Sequence, residues 1–311
     1  MNILLIDTVH PLLKASLESA GHRCEDGTRW TREEVLTRIS AYDGVVIRSR
    51  IKIDKEFLDR GVQLKFIARV GAGMENIDVV YADSKGVQCL HAPEGNRDAV
   101  GEQAMAMLLS LFANLNRADR EVRAGIWRRE QNRGIELQGK TVGLIGYGNT
   151  SGAFAKKLSG FDCTVIAFDK YRSDFSDRYA KEVTMEQIFS AADILSLHVP
   201  LTPETHYLVS DIFLARFRKE IYVLNTSRGL CLHTDALVKH MKSGKVKGAC
   251  LDVVEYEDAS FENFDFIQNE SWKYLVESDR TVLSPHIAGW TQESNEKMAK
   301  VLFEKISQLI Q

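Results

Sequence analysis

The chain has 311 residues, of which 44% are hydrophobic and 27% charged, and its formal net charge is −3. This is the balance of an ordinary globular protein with the length of about two domains, and it gives no reason to expect nucleic-acid or membrane-surface binding. No apolar run approaches the roughly 18 residues of a membrane span, and the five cysteines (24, 89, 163, 231, 250) lack metal-ligand spacing, so no metal is expected.

The chain begins directly with an apolar run over 2–7, without a basic start or a cleavage site, which with the odd cysteine count suits a reducing cytoplasm. The spacing predicts a helix over 10–20, stopped by Gly21, and a second over 31–39, opened by Thr31 and Glu34 as a capping box. Apolar runs over 44–47, 66–70 and 86–90 read as strands. The first delivers Arg48, Ser49 and Arg50, and the second delivers Gly71, Ala72 and Gly73. Alternation of strand and helix predicts a parallel α/β domain of about 100 residues.

A long, almost wholly apolar helix is expected over 101–116, crossing between domains or packing at a subunit interface, followed by a charged stretch to 136 that contains Trp127. Further strands are expected over 192–200, 221–224, 248–254 and 281–284, with a helix over 234–242. An amphipathic helix over 292–310 has no strand after it, so it is expected to return to the first domain. The second domain is then an insert with hinges near 99 and 288.

The stretch 139–169 carries the strongest single pattern. An apolar strand over 141–145 is followed by Gly146 and Gly148, a helix from about Asn149, a second strand and Asp169. This is a dinucleotide-binding βαβ unit. Gly146 permits the tight turn, Gly148 lets a pyrophosphate approach the backbone, and the helix start offers N–H groups to phosphate. Asp169 lies 23 residues after Gly146, near the roughly 20 expected of an acid that bonds ribose hydroxyls. Its charge repels a 2′-phosphate, so NAD is favoured over NADP. The third glycine of the pattern is replaced by Ser151, with Gly152 one place later.

Taken together, six motifs resemble the NAD-dependent D-2-hydroxyacid dehydrogenases over essentially the whole chain, and most closely their short-form phosphoglycerate dehydrogenase members. The motifs are Gly71 to Asp78, Leu137 to Lys140 leading into the glycine turn, His198 to Thr205, Asn225 to Gly229, Gly248 to Val253, and Ser284 to Gly289. The resemblance implies two doubly wound parallel-sheet domains. A Rossmann nucleotide-binding domain, 99–287, is inserted into a flavodoxin-like substrate-binding domain, 1–98 and 288–311.

It also implies hydride transfer between NAD(H) and a D-2-hydroxy acid or its 2-oxo acid. A histidine suits the accompanying proton transfer, since imidazole titrates near neutrality. The resemblance assigns that task to His286, at the end of the last expected strand, and the other seven histidines are expected to be surface or packing residues. A carboxylate beside it helps it hold its proton. Glu255 and Glu257 are two apart and share a face of an extended strand, so periodicity does not choose between them. The family spacing, five residues after Asp252, gives Glu257. Arg228 is the expected two-pronged partner of the substrate carboxylate, polarising the 2-oxo group.

Carried over in the same way, Asn149 and Thr150 lie at the pyrophosphate, Val199 along the adenosine, and Thr226, Ser227, Asp252 and Gly289 near the nicotinamide. Ala72 lies near the cofactor, while Gly71, Ala72 and Gly73 bind the substrate carboxylate through backbone N–H groups. Arg48, Ser49 and Arg50 are the expected phosphate grip of 3-phosphoglycerate, which would place the chain in serine biosynthesis. The alternative substrate is hydroxypyruvate, glyoxylate or another small 2-oxo acid. An NAD(H)-sensing corepressor-like protein is the alternative class, disfavoured by the lack of a peptide-binding segment. A homodimer built around 101–127 is expected. Segment 258–279 reads as longer than usual for the family, and the stop at Gln311 predicts no C-terminal regulatory domain and no serine feedback through one.

Overall fold

A computed structural model describes residues 1–257 and 269–310. In chain order the elements are β1 (Asn2–Leu5), α1 (Pro11–Ser19), β2 (Arg23–Asp26), α2 (Arg32–Arg38), β3 (Gly44–Ile47), α3 (Lys55–Arg60), β4 (Phe66–Arg69), α4 (Val79–Ser84), β5 (Gln88–His91) and α5 (Pro93–Phe112). Then follow α6 (Leu115–Arg123), β6 (Thr141–Ile145), α7 (Asn149–Leu158), β7 (Thr164–Phe168), β8 (Lys181–Glu182), α8 (Met185–Ala191) and β9 (Ile194–Leu197). The last are α9 (Asp211–Ala215), β10 (Ile221–Asn225), α10 (Thr234–Lys242), β11 (Val246–Leu251), α11 (Glu270–Glu277), β12 (Thr281–Leu283) and α12 (Gln292–Ile310).

The chain divides into two compact units. Unit 1 holds Met1–Arg97 and the segment from Trp290 onward; unit 2 holds Asp98–Glu257 and the described residues 269–289. Unit 1 contains a five-stranded sheet in the order β2-β1-β3-β4-β5, with every pairing parallel, the order of flavodoxin-like folds. Unit 2 contains a seven-stranded sheet, β12-β11-β10-β9-β6-β7-β8, also parallel throughout. Its strand order reverses between β6 and β9, the switch point at which doubly wound sheets bind nucleotides.

Local sequence explains the frame. The central strands β1, β3, β4, β6 and β9 are apolar along their length because helices cover both faces of each sheet. Helix α1 starts at Pro11, with His10 Nδ1 accepting from Leu12 N at 3.3 Å, and buries Leu13 and Leu17 one turn apart. Helix α2 has both bonds of its capping box, Thr31 N to Glu34 Oε2 at 2.7 Å and Glu34 N to Thr31 Oγ1 at 3.3 Å. Helix α12 packs Met298, Ala299, Leu302 and Ile306 into one core layer of unit 1 with Leu13, Leu17, Ile3 and Leu5.

The expected helix over 101–116 is corrected at both ends. Helix α5 begins at Pro93, a residue suited to a first helical turn, and its Gly95 lies against Met298 of α12, where a Cβ has no room. It ends at Phe112, and Asn114 in the left-handed region (φ 53°) separates it from α6. Its apolar residues Ala104, Met105, Met107, Leu108, Leu111 and Phe112 belong to a core layer of unit 2, with Val142, Leu144 and Phe154. Segment 258–279 lies outside the described residues as far as 268; the remainder holds α11.

Leu108 is 1% exposed in that layer. Leu108→Ala is expected to destabilise unit 2 by about 2–5 kcal/mol, read as a lowered denaturant midpoint. A shift of a few tenths would mean that α5 contributes little to this core.

Candidate active site

Strands β10, β11 and β12 are neighbours in the unit 2 sheet, and their C-terminal ends carry Arg228, Asp252 and His286 in the loops that follow. The buried Asn225 ends β10 and organises the first loop. Its Oδ1 accepts from Ser227 N at 3.0 Å and Ser227 Oγ at 2.8 Å, while its Nδ2 donates to Arg228 O at 3.0 Å. Arg228 Nη1 donates to Ser227 O at 2.6 Å. At Gly229 a Cβ would lie 2.0 Å from Val254 O, so only glycine lets the loop bearing Glu257 lie against this turn.

His286 has φ 54°, a left-handed backbone that a histidine adopts only when its surroundings impose it. The imposing group is Asp252, which is 1% exposed. Its Oδ1 accepts from Ser284 Oγ at 2.6 Å and from Ile287 N at 3.0 Å; its Oδ2 accepts from Ala288 N at 2.9 Å. Its backbone carbonyl accepts from His286 N at 2.7 Å. Asp252, expected beside the nicotinamide, thus spends its carboxylate on the loop that carries His286.

Glu257 Oε2 lies 2.5 Å from His286 Nδ1, and Glu257 Oε1 accepts from Val254 N at 2.6 Å. Where the carboxylate accepts this bond, Nδ1 is the donor, which sets the tautomer and orientation of the ring. Glu255, the other candidate, turns to helix α10, where its Oε2 accepts from Thr234 N at 3.0 Å. The structure thus separates the two acids that periodicity leaves open.

The nucleotide motif lies in the same unit. Gly146 has φ 86°, and a Cβ there would sit 2.5 Å from His198 O, so the turn demands glycine twice over. Gly148 has open space where a Cβ would project, and helix α7 follows with no side-chain cap on its first turn. Ser151 is fully buried, and its Oγ accepts from Gly148 N at 2.7 Å, so the serine braces the loop it seemed to interrupt. Asp169 holds the turn from the end of β7: its Oδ2 accepts from Tyr147 N at 2.8 Å and its Oδ1 from Tyr171 N at 2.9 Å. A cavity of about 630 Å³ beside it is lined by Asp169, Asp174, Glu182 and Glu186 among others, a poor surrounding for a 2′-phosphate. Thr226 Oγ1 is buried without a hydrogen-bond partner, a polar atom that a ligand group would satisfy. These features fit NAD, which the turn from Gly146 to Thr150, Asp169 and Thr226 would hold.

His198 has a role that its sequence context does not reveal. Its Nδ1 lies 3.1 Å from Thr150 Oγ1 and its Nε2 2.8 Å from Ser196 Oγ, and its ring packs on Phe154 with centroids 5.8 Å apart. Desolvation pushes its pKa down from 6.5 to about 3, so it stays neutral and braces Thr150 behind the phosphate-binding turn.

In unit 1, Asp7 follows β1 by two residues, and its Oδ2 accepts from Arg48 N at 2.5 Å. The Arg48 guanidinium lies over the Trp290 ring, 4.0 Å from its centroid. Arg50 turns away from that role. Its Nε donates to Asp7 at 3.2 Å, its Nη1 to Trp30 O at 2.7 Å, and its Nη2 to Gly27 O at 3.2 Å and to Ile6 O. Four of its five N–H groups thus serve carbonyls and a carboxylate at the sheet edge. Ser49 is half-buried between the two arginines. In the glycine turn, Ala72 O lies 2.6 Å from His91 Nδ1, and Gly71 O accepts from Ala92 N at 2.9 Å.

A doubly wound sheet with a dinucleotide turn and a histidine–carboxylate pair at its C-terminal edge defines a nucleotide-dependent oxidoreductase. The family model for the D-isomer specific 2-hydroxyacid dehydrogenase, NAD binding domain, matches residues 105–288. A hydroxypyruvate reductase from Thermotoga maritima is 34% identical over 88% of this chain and 87% of its own. A D-3-phosphoglycerate dehydrogenase from Archaeoglobus fulgidus is 32% identical over 98% of this chain, which spans only 56% of that protein. A crystal structure from Thermus thermophilus superposes with a TM-score of 0.84 at 28% identity, covering 100% of this chain and 97% of that one. The chain belongs to the D-isomer specific 2-hydroxyacid dehydrogenases, NAD-dependent enzymes that transfer hydride between NAD(H) and a 2-hydroxy acid.

The neutrality of His198 has a measurable consequence. In the unfolded chain this imidazole takes up a proton as pH falls through its ordinary 6.5, whereas in the folded chain it does so only near 3. Folding stability is therefore expected to fall as pH drops through that window, by at most about 1.4 kcal/mol per unit. Urea unfolding between pH 7.5 and 5 is expected to show a steeper loss for the parent than for His198→Gln. Equal slopes would mean that His198 is not held neutral.

Proposed function

We propose that the chain reduces a short, unphosphorylated 2-oxo acid, hydroxypyruvate first among them, to the D-2-hydroxy acid. The 2.5 Å contact of Glu257 with His286 carries this reading, since it orients the imidazole and sets its tautomer for proton transfer. Bound NADH supplies the hydride to the 2-carbon. Arg228 holds the substrate carboxylate and polarises the 2-oxo group as negative charge grows on its oxygen. His286 gives its Nε2 proton to that oxygen, completing the hydroxyl, while Glu257 keeps the ring in one tautomer and orientation. The substrate choice follows from Arg50, whose donors are spent on the fold.

A second reading, 3-phosphoglycerate oxidation as a step toward serine, draws support from Arg48 and from the phosphoglycerate dehydrogenase relative. NADH oxidation by the purified chain decides between them. Hydroxypyruvate is expected to exceed 3-phosphohydroxypyruvate by about tenfold or more in kcat/KM, and His286→Asn to lower kcat by about 10²–10⁴-fold. Preference for the phosphorylated acid would establish the second reading. No turnover of any 2-oxo acid would remove both and favour an NAD(H)-sensing binding protein.

We also propose a homodimer. With buried apolar residues of α5 spent on the core, exposed apolar side chains near it lie further on in sequence, at Leu115, Val122, Ile126, Trp127 and Ile135. Trp127 is 77% exposed, a large apolar surface that a partner chain would cover. Light scattering at micromolar concentration is expected to give twice the chain mass for the parent and the single-chain mass for Trp127→Glu. A monomeric parent would contradict the proposal. The five cysteines carry no disulfide and no helix among the described residues is long and apolar enough to cross a membrane; the cysteines support our placing the protein in the cytoplasm.

A further inference from the structure

We propose that His91 is a positioning residue for substrate binding: by tethering the Ala72 carbonyl it aims the Gly73 N–H at the substrate carboxylate. The inference rests on the oxidoreductase reading and adds a residue to it. A trans peptide is planar, so the C=O of one residue and the N–H of the next point in opposite directions. Fixing a carbonyl on one side therefore fixes the following N–H on the other. Two consecutive carbonyls are fixed here. Gly71 O accepts from Ala92 N at 2.9 Å, which aims Ala72 N–H away from β5. Ala72 O lies 2.6 Å from His91 Nδ1, which aims Gly73 N–H away from the same strand. Since a carbonyl only accepts, Nδ1 must carry the hydrogen.

Neither Ala72 N–H nor Gly73 N–H donates to an acceptor among the described residues, and both residues are half-exposed. Two adjacent, outward N–H groups form a concavity suited to an anion, here the substrate carboxylate. The first tether is backbone and comes with the parallel ladder. The second depends on one side chain. His91 is itself held, since Lys305 Nζ donates to His91 O at 2.8 Å and to Glu94 Oε1 at 2.9 Å. Helix α12 thereby anchors the strand end from which the imidazole reaches.

The test compares His91→Ala, which removes the donor, with His91→Asn, whose amide can donate to the same carbonyl. His91→Ala is expected to raise KM for hydroxypyruvate and Kd for oxamate by about tenfold, the loss of one well-aimed bond to a charged group. Its kcat is expected to stay within about threefold and NADH affinity within about twofold of the parent, with His91→Asn recovering most of the loss. In the parent, the Ala72 and Gly73 amide resonances are expected to shift on adding oxamate. The proposal is overturned if His91→Ala leaves KM and Kd unchanged, if His91→Asn is no better than His91→Ala, or if neither parent amide responds to oxamate. A parent that turns over no 2-oxo acid, yet whose two amides respond to oxamate, would remove the enzyme reading and leave the tether standing.

Discussion

The buried carboxylate of Asp252 is the contact on which the chemistry of unit 2 depends. A charge taken out of water costs several kcal/mol unless its lone pairs are filled. Here a hydroxyl and two backbone N–H groups fill them, all from the residues flanking His286. The acid therefore cannot relax without the loop relaxing, and the loop cannot leave its left-handed turn without stranding the acid. Glu257 then meets an imidazole whose backbone is already fixed, so their contact needs little further ordering.

Unit 1 uses an aspartate in a related way. Asp7, buried just beyond a central strand, takes one bond from Arg48 N and one from Arg50 Nε. In both sheets a parallel ladder ends in carbonyls and N–H groups that lack a further strand partner, and a short acid or a forked guanidinium gathers them. The difference is in what is left over. Asp252 is neutralised by donors without charge and presents a histidine. Asp7 is neutralised by an arginine and leaves the neighbouring Arg48 against an aromatic ring.

Much of this was legible in the sequence, and for identifiable reasons. Central strands such as 44–47 and 141–145 stand out because burial on both faces makes them continuously apolar. Strand β2, Arg23–Asp26, has no such run, since it is a polar edge strand, and its letters do not mark it as a strand. The six-residue helices α3 and α4 also escaped periodicity; only their caps, Asp54 and Asp78, mark them. In the site, Gly146 and Asp169 are visible because spacing constrains them, and His286 because the family resemblance assigns it. Periodicity does not divide the labour between Glu255 and Glu257, because it is settled by which acid reaches α10 and which reaches an imidazole 29 residues on; only the family spacing singles out Glu257. Arg48 and Arg50 look equivalent as letters. Only the placement of Ile6, Gly27 and Trp30 carbonyls around one of them tells them apart.

The left-handed turn at His286 restricts what can stand in its place. Most side chains would lose about 1–2 kcal/mol there, whereas asparagine tolerates that region well. Asparagine also keeps a polar group pointing toward Glu257 while lacking a nitrogen able to shuttle a proton. An inert form of the enzyme that preserves the shape of its site is therefore within reach of one codon change, and it would hold a reactive substrate long enough for a complex to be captured.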